Sequence, residues 1–553
     1  MESSKRYLNR VIRQIKELSQ EKRNLLVVSD FHLSEGFYEA EGNWAINEDF
    51  FFDGPFSRFL QFAQEQRARH GGAPWRLICN GDIFDFRQVA VPRNGEAAPG
   101  VEAMRVKEAA RAGSDKTNLS KSEKLYGPGT TPLMSGLRAD LIYAGHKRFF
   151  QALAWFIARG NEVVFIKGNH DMELHWPKTQ SSIKRLLEQA YKEAQKETAP
   201  QRDLDWDGLP RDFGLTERKR IYFLPWNYYE PGRVYVEHGQ QFHSTDSQEH
   251  ILWPVLPWKE TELELGLGEL FGRYFITQLE TLFPLVDNIK PFSKGITWVL
   301  TKGIPYLLTR ENFWSGLKKL WQQFRHAFQG AIRIYKKSRK NQKDDSGFKE
   351  RLQDELKYYG REINLGALCA QELDALKSQP QLRSKNFLWN SLIRPLLTGA
   401  GVLLLLVALW AILSFSLNIN PAISALVILG GGAAWGIWQL KLKMLRPEKY
   451  LADKAAQIHQ VLHRHKRGVK YVFLGHDHHA HFQRLDIDPD YGAELPAKPS
   501  FYANSGTWTA AIIHDKELVQ NARQFALVRL IDDTAHLMRW NDGSGEWEPI
   551  VPY

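Results

Sequence analysis

Cysteine is almost absent: Cys79 and Cys369 are the only two in 553 residues. No disulfide framework can staple such a chain, and a reducing compartment follows. A secretory leader is missing too. In place of a charged start and an apolar run, Lys5, Arg6, Arg10, Arg13 and Lys16 alternate with Leu8, Val11, Ile12, Ile15 and Leu18 at helical spacing. That spacing predicts an amphipathic helix over 1–23 that packs on the domain behind it. A mean hydropathy of −0.41, with 43% hydrophobic and 25% charged residues, excludes disordered, collagen-like and polytopic membrane chains. Basic charge and tryptophan are what the chain has in plenty. Lys and Arg outnumber Asp and Glu 73 to 63, for a net charge of +10 and a pI near 9.2, and there are 18 Trp. The charge calls for an anionic partner: nucleic acid, a phosphorylated substrate or anionic lipid. The length predicts several domains, or one core with large insertions.

From residue 24 onward, short apolar runs end in polar residues at 25–30, 76–82, 162–171, 234–239 and 471–478. Each is rich in Val, Ile, Leu, Phe or Tyr and reads as a buried strand. Helical patterns at 56–70 and 142–159 lie between them, which makes the fold class α/β. The stretch 92–137, rich in Gly, Pro, Ala and Ser, is expected as a surface insertion.

Charge itself disappears between Arg394 and Lys441. Two apolar runs, 395–417 and 422–440, flank the turn signal Asn418-Ile-Asn-Pro421. Each is long enough to cross a hydrocarbon core of ~30 Å as a helix. A two-helix transmembrane hairpin over 395–440 is therefore expected. Arg383, Lys385 and Arg394 before it, and Lys441, Lys443, Arg446 and Lys449 after it, place both ends on the cytoplasmic face of the inner membrane. The preceding segment, 244–392, reads as a basic, aromatic helical insertion. Between Lys302 and Lys343 it carries eleven Lys or Arg against one acid, Glu311. Phe313, Leu317, Leu320, Phe324, Phe328, Ala331 and Tyr335 make one apolar face, as in an interfacial helix on anionic lipid. Nine of the 18 Trp fall between residues 253 and 438, which fits a membrane-interface belt.

A short polar motif follows each strand-like run: Asp30-Phe-His32, Gly81-Asp82-Ile-Phe-Asp85, Gly168-Asn169-His170-Asp171, His238, and Gly475-His476-Asp-His478. Any one of them arises by chance. Five in order at strand carboxyl ends, where open α/β sheets gather ligands, point to one site. Carboxylate, amide and imidazole groups together suit two divalent ions ~3.5–4 Å apart that polarise a phosphoryl group. The mixed oxygen and nitrogen set favours Mn, Fe or Zn over Mg or Ca.

These motifs resemble the calcineurin-like metallophosphoesterase superfamily over 24–90, 140–243 and 468–508, with 450–553 as the second part of the domain. The resemblance implies a β-sandwich core flanked by helices and hydrolysis by a hydroxide held between two metals, most often Mn²⁺. It implies that Asp30, His32, Asp82 and His478 hold one metal, that Asp82 bridges, and that Asn169, His238 and His476 complete the second site. His170 would face the substrate, with Asp171 orienting its imidazole and Asp85 shaping the loop. Ser29-Asp-Phe-His-Leu-Ser34, Asn80-Gly-Asp-Ile-Phe-Asp85 and Asn504-Ser-Gly-Thr-Trp508 look most like the bacterial UDP-2,3-diacylglucosamine pyrophosphatase group. In that group Asn80 would touch phosphate oxygens. The implied substrate is a phosphate ester or pyrophosphate, possibly lipid-linked, with a soluble or cyclic nucleotide as the alternative. His479 and His481 are expected as pocket or surface residues.

Two other classes compete. A catalytically inactive scaffold of this superfamily loses its substrate-facing histidine or several ligands, whereas all eight positions are filled here. A nuclease would use the basic charge on DNA or RNA. The basic run sits beside the apolar hairpin without a nucleic-acid module, so no nucleic acid is expected as a partner.

Overall fold

Successive side chains of the apolar runs enter different cores, and this settles the architecture. The computed structural model describes residues 3–92, 96–197, 204–277, 346–383, 450–485, 499–509 and 525–550, with isolated positions between 318 and 336. In β1 (Asn24–Val28), Leu25 and Val27 join one apolar cluster, while Leu26 and Val28 join another. In β2 (Trp75–Asn80) and β3 (Glu162–Ile166) the split repeats: Ile78, Val164 and Ile166 on one side, Leu77, Cys79, Val163 and Phe165 on the other. A strand covered on both faces needs no polar alternation, which is why these runs read as continuous.

Strands β1, β2, β3 and β4 (Ile221–Leu224) pair in parallel. A second sheet follows with β5 (Asn227–Glu230), β6 (Val234–Glu237), β7 (Tyr471–Leu474), β8 (His481–Arg484) and β9 (Phe501–Asn504), in the order β8-β9-β7-β6-β5. The antiparallel β10 (Ala526–Ile531), β11 (Thr534–Asn541) and β12 (Glu546–Pro549) extend the first sheet beyond β1, completing seven strands. The sheets face each other through Leu25, Val27, Ile78 and Val164 on one side and Val234, Val236, Phe473 and Ala503 on the other.

Helices cover both outer faces, so the chain is a layered mixed α/β fold. On the first sheet lie α1 (Asp53–Arg69), α2 (Pro132–Gly145), α3 (Lys147–Ala158) and α4 (Pro177–Lys196), packed through Phe56, Ile142, Phe149, Leu153 and Leu187. The second sheet is covered by four helices from distant parts of the chain: Ser4–Leu18, Ser346–Glu362, Ala367–Ala375 and Tyr450–Arg464. Tyr7, Val11, Tyr359, Ala370, Ile458 and Leu462 form that layer's core with Tyr235, Val472 and Tyr502. Cys79 and Cys369 are free and buried in opposite layers.

Several expectations change. The helix expected over 142–159 is two, broken at His146, whose side chain sits between Glu48 and Asp53. The stretch 92–137 is not only surface: it holds helices Val101–Arg111 and Lys121–Tyr126, and its end begins α2, which buries Met134, Leu137 and Arg138. Part of 244–392 is also core, since Ser346–Glu362 and Ala367–Ala375 roof the second sheet. The hairpin over 395–440 lies outside the described residues, as does most of the basic run at 302–343. Among the described residues no helix is long and apolar enough to cross a membrane.

Candidate metal centre

The carboxyl ends of β1, β2 and β3 in one sheet and of β6 and β7 in the other meet at a shared rim. Every motif is thereby delivered to one place. The loops after β1 and β2 are zipped together, with Asp30 N donating to the Gly81 carbonyl at 3.1 Å and Phe31 N and His32 N donating to the Asp82 carbonyl at 2.8 and 3.0 Å. His476 N, after β7, donates to Asp30 Oδ2 at 3.1 Å, joining the second sheet to the first. Gly168 is required by closeness: a Cβ there would stand 2.2 Å from Asp82 Oδ1.

Strain marks the same loops. Of the eleven non-glycine residues with positive φ among the described residues, five are Asp30, His32, Asp82, His476 and His478. Left-handed backbone costs a side-chain-bearing residue about 1–3 kcal/mol and persists where the surroundings enforce it, as at binding sites.

Two ligand clusters result. Asp30, His32 and His478 bring one ligand atom each within 4.8 Å of one another, and so do Asp82, His238 and His476. In the first, His478 Nε2 is 3.3 Å from Asp30 Oδ1 and 3.1 Å from His32 Nε2. In the second, His238 Nε2 is 3.0 Å from Asp82 Oδ2. His238 Nδ1 contacts the Asn80 carbonyl at 2.7 Å; since a carbonyl only accepts, Nδ1 carries the proton. Burial opposes the ring's charge, but Asp82 and Asp30 raise the imidazole's pKa to about 10, so Nε2 also carries a proton toward Asp82, the place a divalent ion would take. Asn169 Oδ1 is buried without a hydrogen-bond partner, and Asp30 Oδ1 and His238 Nε2 are buried against other groups of the two clusters. Such buried donor atoms fit divalent ions.

Electrostatics agrees. Burial opposes ionisation of Asp30, yet His478 and His238 outweigh it and hold the carboxyl down at about 2. Burial likewise opposes ionisation of Asp82, and His238 and His170 overcome it, leaving the group well below the usual carboxylate range. Both residues are anionic at neutral pH.

His170 corrects one expectation. Its Nδ1 contacts Asp85 Oδ2 at 2.6 Å, and Asp85 also lies 3.7 Å from His32 Nδ1 and 3.0 Å from Arg87 Nη2. Asp85, not Asp171, is the carboxylate that orients the imidazole. Asp171 instead accepts from the backbone N–H groups of Gly168 at 2.6 Å and Ile83 at 3.0 Å, tying two loops together. The residue adjacent in sequence points into the fold, while Asp85 arrives from the β2 loop. Asn80 is a second correction. It is fully buried, and its Nδ2 donates to the Glu237 carbonyl at 3.0 Å, so it ties the two sheets together where a phosphate contact was expected.

The comparisons with known proteins add nothing to this geometry. No protein-family model, curated protein or solved structure matches the chain.

The Asn504–Trp508 motif is a latch. Ser505 Oγ meets Ser29 Oγ at 2.7 Å, and Thr507 Oγ1 and Trp508 N donate to the Asp30 carbonyl at 2.8 and 3.1 Å. His479 is exposed and His481 half-buried on β8. Beside His170 and Asn169 lies a small cavity of about 20 Å³ lined also by Arg87, Arg138, Arg273, Glu173 and Glu269. Burial and the charge of Asp246 push the Glu269 carboxyl well up, and Arg87, Arg138 and Arg273 bring three guanidinium groups to the same cavity. Sequence reasoning missed Asp246 and Glu269. Both lie in the segment after β6, where no motif marks them.

Proposed function

We propose that this chain is a metal-dependent phosphoesterase of the calcineurin-like kind, hydrolysing a phosphate ester or pyrophosphate. The observation that carries the reading is the convergence of Asp30, His32, Asp82, Asn169, His238, His476 and His478 at one rim, five of them in strained backbone, with the Asn169 amide oxygen buried and unpartnered. Asp30, His32 and His478 would hold one divalent ion, Asn169, His238 and His476 the other, and Asp82 both. Such a pair, when bound, neutralises phosphoryl charge and lowers the pKa of water.

The chain's own groups do the rest. Asp85 holds His170 Nδ1 and so fixes the ring beside the cavity. Burial and Arg87 lower the imidazole's pKa, so it rests neutral. An arriving phosphoryl anion raises its proton affinity, so the ring takes a proton from solvent and can then pass that proton to the leaving oxygen, returning to neutral. Arg87 and Arg273 favour an anionic substrate. The uncharged stretch 395–440 would anchor the enzyme to the cytoplasmic membrane face, where a lipid-linked substrate shares its surface.

The test is hydrolysis by detergent-solubilised protein with Mn²⁺, comparing lipid-linked pyrophosphates, soluble phosphodiesters and an aryl phosphodiester. Turnover that is lost on chelation and restored by Mn²⁺ is expected. Undiminished turnover of chelated protein, or of both Asp82→Ala and His170→Ala, would overturn the reading.

A further inference from the structure

The segment after β6 holds a carboxyl group that reaches the metal centre through one of its candidate ligands. Asn169 Nδ2 donates to Glu269 Oε1 at 2.9 Å, across 100 positions of chain. Both residues are buried, Asn169 4% and Glu269 3% exposed. We propose that Glu269 is a positioning residue of the second cation site: it turns the Asn169 amide so that Oδ1, and not Nδ2, is presented to the ion. This rests on the dinuclear-metal reading above.

The chemistry of an amide supplies the reason. A cation binds lone pairs, and the amide oxygen has two. The amide nitrogen has none to give and presents two N–H donors instead. An asparagine flipped end for end would aim those N–H groups at the ion. An acceptor beside the nitrogen disfavours that state, and Glu269 Oε1 is such an acceptor. Oδ1 is left buried without a hydrogen-bond partner. Outer hydrogen bonds of this kind fix a ligand's direction. A carboxyl group has an accepting oxygen whether or not it is protonated, so the role holds in either state.

The fold seats Glu269 closely. Gly266, just ahead of the short helix Leu267–Phe271, has a φ of −65°, which any residue adopts. Closeness explains the glycine: a Cβ there would stand 2.6 Å from Glu269 Oε2 and 2.6 Å from the Thr245 carbonyl oxygen. The stretch is also pinned on both sides. Arg383 Nε and Nη2 donate to the Glu264 carboxylate at 2.7 and 3.0 Å, and Thr277 Oγ1 donates to Gln88 Oε1 at 3.1 Å.

Stability gives no reason for the carboxyl group. Glu269 Oε2 is buried with no hydrogen-bond partner among the described residues, a cost that an apolar side chain of similar size avoids. An unsatisfied buried atom beside a candidate ligand points to work done on that ligand. The metal centre therefore depends on the segment after β6, and not only on the motifs at the strand ends.

The experiment uses the full chain in detergent, stripped with chelator and reloaded with Mn²⁺ alone. Bound metal is counted by mass spectrometry, affinity is read by calorimetry, and the exchange-coupled pair by electron paramagnetic resonance. Wild type is expected to take up two Mn²⁺. Glu269→Leu keeps the bulk and removes the acceptor; it should keep the first ion, weaken the second by about tenfold or more and lose the coupled signal. Where that variant fails to fold, Glu269→Asp, one methylene too short to reach, should show the same weakening. Glu269→Gln keeps an accepting oxygen and should restore the second ion and the coupled signal. Two Mn²⁺ bound with wild-type affinity to folded Glu269→Leu, or to Glu269→Asp in its place, would overturn the positioning role while leaving the dinuclear reading intact. A Glu269→Gln variant as weak as Glu269→Leu would overturn it too, since charge and not the accepting oxygen would then be at work. Failure of wild type itself to bind Mn²⁺ would overturn both readings.

Discussion

Two clusters in this fold are built from the same groups, buried imidazoles among buried carboxylates, yet they differ in every physical respect that matters. Around His146 a carboxylate faces each ring nitrogen. Its Nδ1 is 2.9 Å from Asp53 Oδ1 and its Nε2 3.2 Å from Glu48 Oε2. Glu48 in turn accepts from Ser34 Oγ at 2.6 Å, Gly36 N at 2.7 Å and Phe50 N at 2.9 Å. None of Glu48, Asp53 and His146 has positive φ. At the rim, by contrast, Asp30, His32, Asp82, His476 and His478 all have positive φ. A charged cluster held in relaxed backbone is a brace. One held in strained backbone is waiting for something else. Burial and charge type do not separate the two; backbone strain does.

Substitutions can break that contrast, the largest effect coming first. His170→Ala should lower turnover about 10²–10⁴-fold with the fold retained. A comparable loss of thermal stability instead would move His170 into the bracing class. His146→Ala is the mirror experiment. Leaving Glu48 and Asp53 uncompensated should lower the unfolding free energy by about 3–5 kcal/mol, with turnover per folded molecule unchanged. A selective loss of turnover in that variant would erase the distinction.

Acid and alkali probe the brace without mutation. Burial opposes the charge of His146, but Asp53 and Glu48 raise its pKa to about 10. A raised histidine contributes stability that is complete below its unfolded value of ~6.5 and is lost as pH climbs through about 10. Glu48, lowered by His146 against the effect of burial, contributes above its unfolded value of ~4.5, and that contribution fades as pH falls. Denaturant midpoints should therefore fall between pH 6.5 and 10 in wild type, and His146→Leu should flatten that decline. An equal alkaline decline in the variant would remove the brace from the account.

The smallest effect separates two neighbouring carboxylates. Asp85→Asn should reduce turnover about 10–100-fold with little change in stability, as expected of a group that orients another. Asp171→Asn should cost about 1–3 kcal/mol of stability, since one backbone N–H loses its acceptor, with turnover largely kept. The reverse pattern would restore Asp171 as the partner of His170.

Much of the fold was legible in the chain. The run at 25–30 announced β1, and the run at 471–478 announced β7, because a strand covered on both faces must be apolar throughout. The helix Ser4–Leu18 was legible for the opposite reason: it buries one stripe only. The break at His146 was not: Gly145 beside it is one of many glycines, and what marks it is close packing against the Glu35 backbone. There His146 also meets Glu48 and Asp53, 98 and 93 positions away.

By itself the sequence determined which chemical groups stand at strand ends and in what order, because strand periodicity and motif residues are local properties. Only the tertiary structure decided how those groups divide their work. That Asp85 takes His170 while Asp171 ties loops, that Asn80 ties sheets, and that Asp246 and Glu269 reach the rim all depend on distances across separate loops. Hydrogen bonds and ligand spacings are set over about 3 Å, and neighbours in the chain point where the local backbone sends them.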